Sequence, residues 1–82
     1  MMPRIKHIEP KPEDKLFVTF DNGDKVIYDV LEDIDVLPDF NVLLTETGLF
    51  NNFQIDESRT CVFWNDRVDL PSDTLLEYGT PV

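Results

Sequence analysis

Carboxylates recur toward the C-terminal end of the chain at a spacing that could support metal binding or proton transfer. Asp73 and Glu77 lie one turn apart on a predicted helix, and Asp66 and Asp69 precede that helix. Grouped carboxylates can bind a hard cation or act as a general acid and base. The pattern therefore raises one functional alternative, a small metal-dependent enzyme that uses Asp69, Asp73 and Glu77.

Two other acidic segments invite comparison with cation sites. Asp21-Asn22-Gly23-Asp24 superficially resembles part of a calcium loop, but the oxygen ligands at alternating positions and the distant glutamate of such a loop are missing. We interpret it as a turn. Glu32, Asp33 and Asp35 concentrate negative charge on a predicted short helix, where they could bind a hard cation or a basic partner. The simpler interpretation is a solvated helix face.

The side chains most often used as base or nucleophile lack suitable surroundings in the sequence. His7 is the only histidine, and its neighbours Lys6 and Ile8 are neither nucleophiles nor metal ligands, so we expect an exposed strand residue. Cys61 lies in an apolar strand, where a thiol normally behaves as a small hydrophobic group, and we expect it to be buried and inert. The sequence therefore assigns no catalytic, cofactor-binding or metal-binding residue, and we predict that the protein is not an enzyme.

Large apolar side chains point to contact with another protein. Phe63 and Trp64 are adjacent at a predicted strand end, so one of them should face away from the core. We include Trp64 in a candidate interaction surface, since large aromatic residues are enriched at interface hot spots, with simple packing against the rest of the protein as the alternative. Phe17 and Ile27 are predicted to pair on the more polar face of a hairpin. We favour later segments of the chain over a dimer partner as their cover.

A β-hairpin near the N-terminus must position several of these residues. Residues 15–20 and 25–30 alternate around an Asn-Gly turn, which is a strong hairpin signal. A two-residue loop would bring charged residues onto the apolar face. We therefore predict a three-residue loop, residues 21–23, with Gly23 in the left-handed conformation. This register places Val18 opposite Val26 and Leu16 opposite Tyr28.

The segments around this hairpin are less regular. We predict a first strand from Arg4 to Glu9, ended by Pro10-Lys11-Pro12 because proline removes a ladder donor. After the hairpin, apolar residues at helical spacing predict one short helix or two turns between residues 29 and 39, stopped by Pro38. Residues 39–52 have no clean period, and we expect a compact crossing segment with a turn of helix near Leu49 to Asn52.

The C-terminal part is predicted to hold a second hairpin and a terminal helix. Residues 53–56 and 60–64 form the hairpin strands, and a short strand follows from Arg67 to Leu70. The helix runs through Tyr78, with Ser72 as its cap and Gly79 as its stop. These elements predict an α+β fold, with one domain over residues 1–82 built from a small antiparallel or mixed sheet of two hairpins and short helices.

Composition limits the functional classes. The chain has 82 residues, of which 41% are hydrophobic, so we expect one small domain that folds without a cofactor. A single cysteine excludes an intrachain disulfide, which favours a reducing compartment, and we predict a cytoplasmic location. No apolar stretch approaches the roughly 18 residues of a membrane span, and we expect neither membrane association nor a signal peptide.

Net charge favours one kind of partner. Seventeen acidic residues against seven basic ones give a formal charge of −10. Such a chain repels phosphate backbones, so we do not expect direct binding to nucleic acid. A small basic protein is the partner that this charge fits, although excess acid also serves solubility alone.

Short motifs follow one another in a fixed order along almost the whole chain: Pro3-Arg4-Ile5 with Glu9-Pro10, Val18-Thr19-Phe20-Asp21-Asn22-Gly23 with Tyr28-Asp29-Val30, Leu49-Phe50 before Phe53-Gln54-Ile55-Asp56, and Trp64 before Asp69-Leu70 and Asp73-Thr74-Leu75. In this order the sequence resembles a small bacterial family, the domain-of-unknown-function family 2442. It departs from the family at Asn65-Asp66-Arg67, where an Asn-Gly or similar turn is common. We expect this departure to affect the tightness of the turn and not the fold.

The resemblance implies an α+β domain without an established activity or agreed catalytic residues. In the family the domain stands alone, is joined to a helix-turn-helix DNA-binding domain, or is encoded beside another small protein in a toxin–antitoxin-like arrangement. We therefore interpret the chain as a non-enzymatic interaction module whose acidic surface and sheet edge bind a small basic protein, with homodimerisation as the competing outcome. An adaptor for a separate DNA-binding regulator is a further alternative. The predicted interaction surface comprises Phe17, Ile27, Glu32, Asp33, Asp35 and Trp64.

Overall fold

The computed structural model describes residues 3–46 and 48–82. Within these residues the strands are β1 (Ile5–Lys11), β2 (Lys15–Phe20), β3 (Lys25–Asp29), β4 (Gln54–Ile55), β5 (Cys61–Asn65), β6 (Val68–Pro71) and β7 (Thr80–Pro81). Between β3 and β4 lie α1 (Leu31–Val36), a 3₁₀ helix (Pro38–Asn41) and α2 (Val42–Thr45), and α3 (Ser72–Tyr78) follows β6. The strands form two antiparallel sheets, which confirms the predicted α+β fold.

The first sheet has the order β1-β2-β3-β7 and contains the predicted hairpin. Its register is confirmed, because Val18 pairs with Val26 and Leu16 with Tyr28. The loop has three residues, and Gly23 has a φ of 94° and donates its N–H to the Phe20 carbonyl oxygen at 3.0 Å. Glycine suits this position because it adopts positive φ without steric cost.

Strand β1 continues past the point at which we predicted its end. Pro10 pairs with Leu16, and Lys11 pairs with Lys15. Proline is tolerated here because β1 is an edge strand, where a missing N–H can face away from the ladder. The chain then turns through Glu13 and Asp14, whose φ angles are 66° and 57°.

The helical segment agrees with the prediction at its start and differs at its end. Helix α1 ends at Val36, and Pro38 begins the 3₁₀ helix, where a residue without an N–H is readily accommodated. The turn predicted near residues 49–52 is present as a single turn, closed from the Asn52 N–H to the Leu49 carbonyl oxygen at 2.8 Å, but it is not part of a helix. Helical backbone occurs earlier, in α2, where it buries Leu43.

The second sheet has the order β4-β5-β6 and contains the second predicted hairpin. Its loop is organised by the Asp56 carboxylate, which accepts the backbone N–H groups of Thr60 and Cys61. The Ser58 hydroxyl and these N–H groups hold the pKa of Asp56 below its ordinary value. The turn that lacks glycine, between β5 and β6, closes through Asn65 Oδ1, which accepts the N–H groups of the two residues after Asp66 at 2.8 and 3.0 Å.

Helix α3 begins at Ser72, which does not act as the predicted cap. Pro71 occupies the cap position, and Ser72 is fully buried with its N–H donating to the Thr60 carbonyl oxygen. The Ser72 hydroxyl has no hydrogen-bond partner among the described residues.

Helix α3 ends before Gly79, as predicted. A Cβ at Gly79 would lie 2.5 Å from the Leu75 carbonyl oxygen and 2.8 Å from the Val26 side chain, so glycine allows α3 to approach β3 closely. The following residues add β7 beside β3, with Thr80 paired to Ile27. The prediction did not include this strand.

Both sheets and all the helices contribute to one hydrophobic core. Its fully buried aliphatic members come from β1, β2, β3, β5, β6 and α3 and from the residue that precedes α1: Ile5, Leu16, Val18, Val26, Val30, Val62, Val68 and Leu75. Burial of each such side chain stabilises the fold by roughly 1.5–3 kcal/mol. No helix in the described part of the chain is long and apolar enough to span a membrane.

Candidate functional site

Trp64 lies in the core and not on a contact surface. Only 8% of it is exposed, its Nε1–H donates to the Phe50 carbonyl oxygen at 2.9 Å, and the rings of Phe40, Phe50 and Phe53 lie around it. This corrects the prediction that Trp64 belongs to an exposed interaction surface. Phe63 is half-buried on the opposite side of the strand, because successive strand side chains alternate.

Phe17 and Ile27 pair directly across β2 and β3, as predicted. Both are half-buried, and neither belongs to the core cluster. The Lys11 ammonium lies 5.9 Å from the centre of the Phe17 ring. Val18 and Val26 point to the opposite face of the sheet, where they form one core with residues of the helices and the second sheet. The later segments of the chain therefore cover that face and not, as we had predicted, the face of Phe17 and Ile27.

Helix α1 presents two of its three predicted acidic residues to solvent. Glu32 and Asp35 are exposed, whereas Asp33 Oδ2 accepts a hydrogen bond of 2.6 Å from the Tyr28 hydroxyl. Burial, followed by this hydrogen bond and nearby carboxylates, raises the pKa of Tyr28 far above its ordinary value, so the hydroxyl remains a donor. Asp33 thus attaches α1 to β3, and Glu32 and Asp35 remain for contact with a partner.

Three large apolar side chains are exposed in the same segment of the chain as these carboxylates, and they were not predicted as part of the interaction surface. Val36 is 71% exposed, Leu37 is 43% exposed and Leu44 is 55% exposed. They lie at the end of α1, at its C-cap and in α2, and the 3₁₀ helix between them contacts both helices. The sequence does contain one indication of this exposure, the apolar run from Val42 to Leu44. A helix buries only one face, so a short helix cannot bury all three of these side chains.

The segment that contains α1 and α2 carries only negative charges. Residues 26–58 contain eight of the seventeen acidic residues and no Lys, Arg or His. We call the exposed acidic and large aliphatic side chains of residues 31–46 the acidic helical surface: Glu32, Asp35, Val36, Leu37, Asp39, Leu44 and Glu46. Within the described residues, its carboxylates take part in none of the ion pairs or side-chain hydrogen bonds. The surface therefore combines exposed apolar side chains with carboxylates that lie outside the ion pairs of the described residues.

A shallow groove of about 510 Å³ adjoins this surface. It lies between the 3₁₀ helix with α2 on one side and the turn from β5 to β6 on the other, and Asp39 and Asp66 line it together with Arg67. None of the ion pairs in the described part of the chain involves Arg67. The groove widens the area over which a partner could contact the acidic helical surface.

Three of the four edge strands, β1, β4 and β7, carry features that oppose addition of a strand from another protein. Edge strand β1 has a bulge between Ile5 and His7 and contains Pro10 and two lysines. The backbone N–H of Ile5 already donates to the Arg59 carbonyl oxygen. Strands β4 and β7 have two residues each. Short edges, bulges, proline and lysine are the means by which proteins block edge-to-edge pairing.

The carboxylates of the metal-dependent alternative are exposed on β6 and α3. Asp73 accepts the backbone N–H of Thr74 at 2.9 Å, and Asp69 and Glu77 are exposed to solvent. Among residues 3–46 and 48–82, no three His, Cys, Asp or Glu side chains form a group that could hold a metal ion. The geometry therefore adds no support to a site built from Asp69, Asp73 and Glu77.

His7 and Cys61 have ordinary surroundings. His7 is exposed on β1, as predicted. Cys61 is half-buried rather than fully buried, because its strand lies in a sheet with one solvated side. Burial, with the charges of Asp69 and Asp56, raises the pKa of its thiol and so disfavours the reactive thiolate.

Comparisons of the chain with family models, with curated proteins and with solved structures found no match. The resemblance to family 2442 stays a prediction. Function must therefore be inferred from the surfaces of the molecule.

Proposed function

We propose that the protein is a non-enzymatic interaction module that binds a small basic protein through its acidic helical surface. The observation that carries the proposal is the combination of exposed Val36, Leu37 and Leu44 with carboxylates on the same short segment that form no ion pair with any described residue. Protein interfaces typically have an apolar centre and a polar rim. A partner with lysine or arginine around a few apolar side chains would complement both parts.

Charge gives this surface its specificity. A field of one sign speeds the encounter with an oppositely charged partner and disfavours acidic competitors. Because Glu32, Asp35 and Asp39 are exposed, their pairs with a partner would be screened by salt. The apolar contacts would remain at high salt, so binding should weaken without vanishing.

The helical surface is a better candidate than a sheet edge. A partner strand added to β1 would have to form backbone hydrogen bonds along an edge that is interrupted by a bulge and by Pro10. Binding at the acidic helical surface uses side chains and needs no backbone pairing. We therefore assign partner binding to side chains of residues 31–46 and not to strand addition.

The resemblance to family 2442 gives the proposal its most specific form. There the partner would be the second protein of a toxin–antitoxin-like pair, and this chain would neutralise or regulate it in the cytoplasm. The single cysteine and the net charge of −10 are compatible with that location and role.

The test is affinity capture of the tagged protein from its native cells, with elution at low and then high salt and identification of retained proteins by mass spectrometry. We expect a stoichiometric basic partner that the wild type retains and the Asp35→Lys/Asp39→Lys variant loses. A control variant, Asp69→Lys/Glu77→Lys, has the same net charge with the helical surface intact, and it should retain the partner. Equal retention by both variants would contradict the assigned surface.

A further inference from the structure

The loop of the first hairpin carries chemistry that the proposed function does not use. Asn22 precedes Gly23, and both residues are exposed at the tip of the hairpin. The side-chain carbon Cγ of an asparagine is open to attack by the backbone nitrogen of the next residue, and glycine has no Cβ to obstruct that attack. Apart from the neighbours of Gly23 in the chain, no atom of the described residues lies within 4 Å of the position that a Cβ would take there. The two reacting groups are therefore adjacent and accessible to water.

The other asparagines of the chain lack this arrangement. Each of them precedes a residue with a side chain, and hence with a Cβ beside the attacking nitrogen: Asn41 precedes Val42, Asn51 precedes Asn52, Asn52 precedes Phe53, and Asn65 precedes Asp66. Asn65 Oδ1 in addition accepts two backbone N–H groups of its own turn. Asn22 is thus the asparagine at which attack by the next nitrogen meets the least steric hindrance.

We propose that Asn22 is a site of spontaneous covalent modification, at which the backbone nitrogen of Gly23 closes a succinimide ring on Cγ of Asn22. The Gly23 N–H gives its proton to water or hydroxide, the N–Cγ bond forms, and the Cγ–Nδ2 bond breaks as the side-chain nitrogen leaves as ammonia. A water molecule then opens the ring at either carbonyl carbon, which leaves aspartate or isoaspartate at position 22. The two steps together are the hydrolysis of an amide, so they need no oxidant or reductant.

The hydrogen bonds of the folded loop restrain this reaction. The Gly23 N–H donates to the Phe20 carbonyl oxygen at 3.0 Å, so base cannot remove its proton until the loop opens. Asn22 Oδ1 accepts the backbone N–H of Asp24 at 3.0 Å, and Asn22 Nδ2 donates to Asp24 Oδ2 at 3.0 Å. These two bonds keep the carboxamide from turning toward the Gly23 nitrogen. The reaction therefore proceeds from a locally opened loop, and Asp24 limits how often the carboxamide is free.

The modification changes the hairpin at its tip. Either product adds one negative charge to the formal charge of −10, at a position between Asp21 and Asp24. Isoaspartate also adds one carbon atom to the main chain, inside the loop that the Phe20 N–H closes by donating to the Asp24 carbonyl oxygen at 2.8 Å. Because loop length fixes the register of β2 and β3, the isoaspartate form should be less stable than the unmodified protein.

Incubation of the purified protein at mildly alkaline pH, followed by peptide mapping with mass spectrometry and an assay of released ammonia, tests the proposal. Asn22 should change from amide to acid before any other asparagine does. The urea-unfolded chain should react about tenfold faster or more than the folded protein, because it lacks the hydrogen bonds of the loop. Earlier reaction at another asparagine, or equal rates in the folded and unfolded protein, would overturn the proposal.

Two variants at Asp24 separate the hydrogen bond from the charge. Asp24→Ala removes the acceptor of Asn22 Nδ2, so the folded variant should react about threefold faster or more than the wild type, with no difference in urea. Asp24→Asn removes the same charge but keeps an oxygen acceptor, and it should stay close to the wild type. Equal acceleration in the two variants would contradict the restraint by this hydrogen bond.

A second variant keeps the test decisive if Asp24→Ala is poorly folded by circular dichroism. Gly23→Ala places a Cβ beside the attacking nitrogen, so it should slow the release of ammonia from position 22 in the urea-unfolded chain. An unchanged rate would overturn ring closure by the Gly23 nitrogen.

The product has its own control, Asn22→Asp, which carries the added charge on a main chain of normal length. The separated isoaspartate form should unfold at a lower urea concentration than Asn22→Asp does. Equal midpoints would contradict the expected effect on the hairpin.

Discussion

Arg59 holds Asp21 with both arms of its guanidinium, through hydrogen bonds of 2.8 Å from Nη1 to Oδ1 and 2.7 Å from Nη2 to Oδ2. Asp21 lies in the loop of the first hairpin and Arg59 in the loop of the second. The Ile5 N–H donates to the Arg59 carbonyl oxygen at 2.6 Å, and Nη1 also reaches the Ile5 carbonyl oxygen at 3.3 Å. One residue thus joins the edge strand, the first hairpin and the second sheet.

Replacement of Arg59 by alanine should lower the free energy of unfolding by about 1–2 kcal/mol, because it removes a bidentate but half-exposed ion pair. Arg59 also has a φ of 60°, which strains a residue other than glycine by roughly 1 kcal/mol. Arg59→Gly loses the ion pair but relieves this strain, so it should cost less than Arg59→Ala. Urea unfolding measures the free energy of unfolding of both variants, and an equal loss in the two would contradict backbone strain at Arg59. Asp21→Asn removes the charge of the carboxylate without changing Arg59, so it measures the contribution of the ion pair alone.

Tyr28→Phe should lower the free energy of unfolding by about 1 kcal/mol near neutral pH, since Asp33 loses its donor. The wild type should also lose stability as pH rises above about 10, where the unfolded chain's tyrosine ionises. The sign follows from the raised pKa of folded Tyr28, which favours the protonated form. Denaturant unfolding at pH 8 to 11 checks this; a wild type whose stability changes no more steeply than that of Tyr28→Phe would disprove it.

Gly79→Ala should destabilise the protein by about 2 kcal/mol or more, because the added Cβ meets the Leu75 carbonyl oxygen and the Val26 side chain. Gly23→Ala is the matched comparison. Its Cβ has open space, but its φ of 94° strains alanine, which should cost about 1 kcal/mol. Urea unfolding of the two variants should rank Gly79→Ala as the more damaging; the reverse order would show that α3 can move away from β3.

Trp64→Phe should lower the free energy of unfolding by about 1–3 kcal/mol through a cavity and an unpaired Phe50 carbonyl oxygen. Because Trp64 is buried, the folded variant should bind a captured partner as tightly as the wild type does. Thermal unfolding and a binding titration measure the two effects separately. Loss of binding by a folded Trp64→Phe variant would show that Trp64 contributes to the interaction surface, and would contradict its assignment to the core.

The hairpin register could be predicted because two independent constraints agree. Only one pairing makes a face of Leu16, Val18, Val26 and Tyr28 wholly apolar, and the same pairing suits a loop with Gly23 at positive φ. The α+β class followed from the same kind of local pattern. The ends of the strands were harder to predict. Pro10 remains in β1 because β1 is an edge strand, and the position of a strand in the sheet depends on the whole fold.

The candidate site was harder to predict because burial depends on the whole fold. Phe63 and Trp64 alternate on one strand, and only the packing of Phe40, Phe50 and Phe53 decides which of them is covered. The exposure of Leu44 likewise depends on α2 having one turn. Acidic Glu32 and Asp35 were predicted correctly as exposed, since charged residues on a short amphipathic helix face solvent.

The most direct test of the proposed function is the affinity of the purified basic partner for two charge-matched variants, measured by titration calorimetry at several salt concentrations. Asp35→Lys/Asp39→Lys should weaken binding by about tenfold or more and flatten its salt dependence. Asp69→Lys/Glu77→Lys, with the same net charge, should stay close to the wild type. Equal weakening by the two variants would show that net charge alone attracts the partner, and would contradict a specific acidic helical surface.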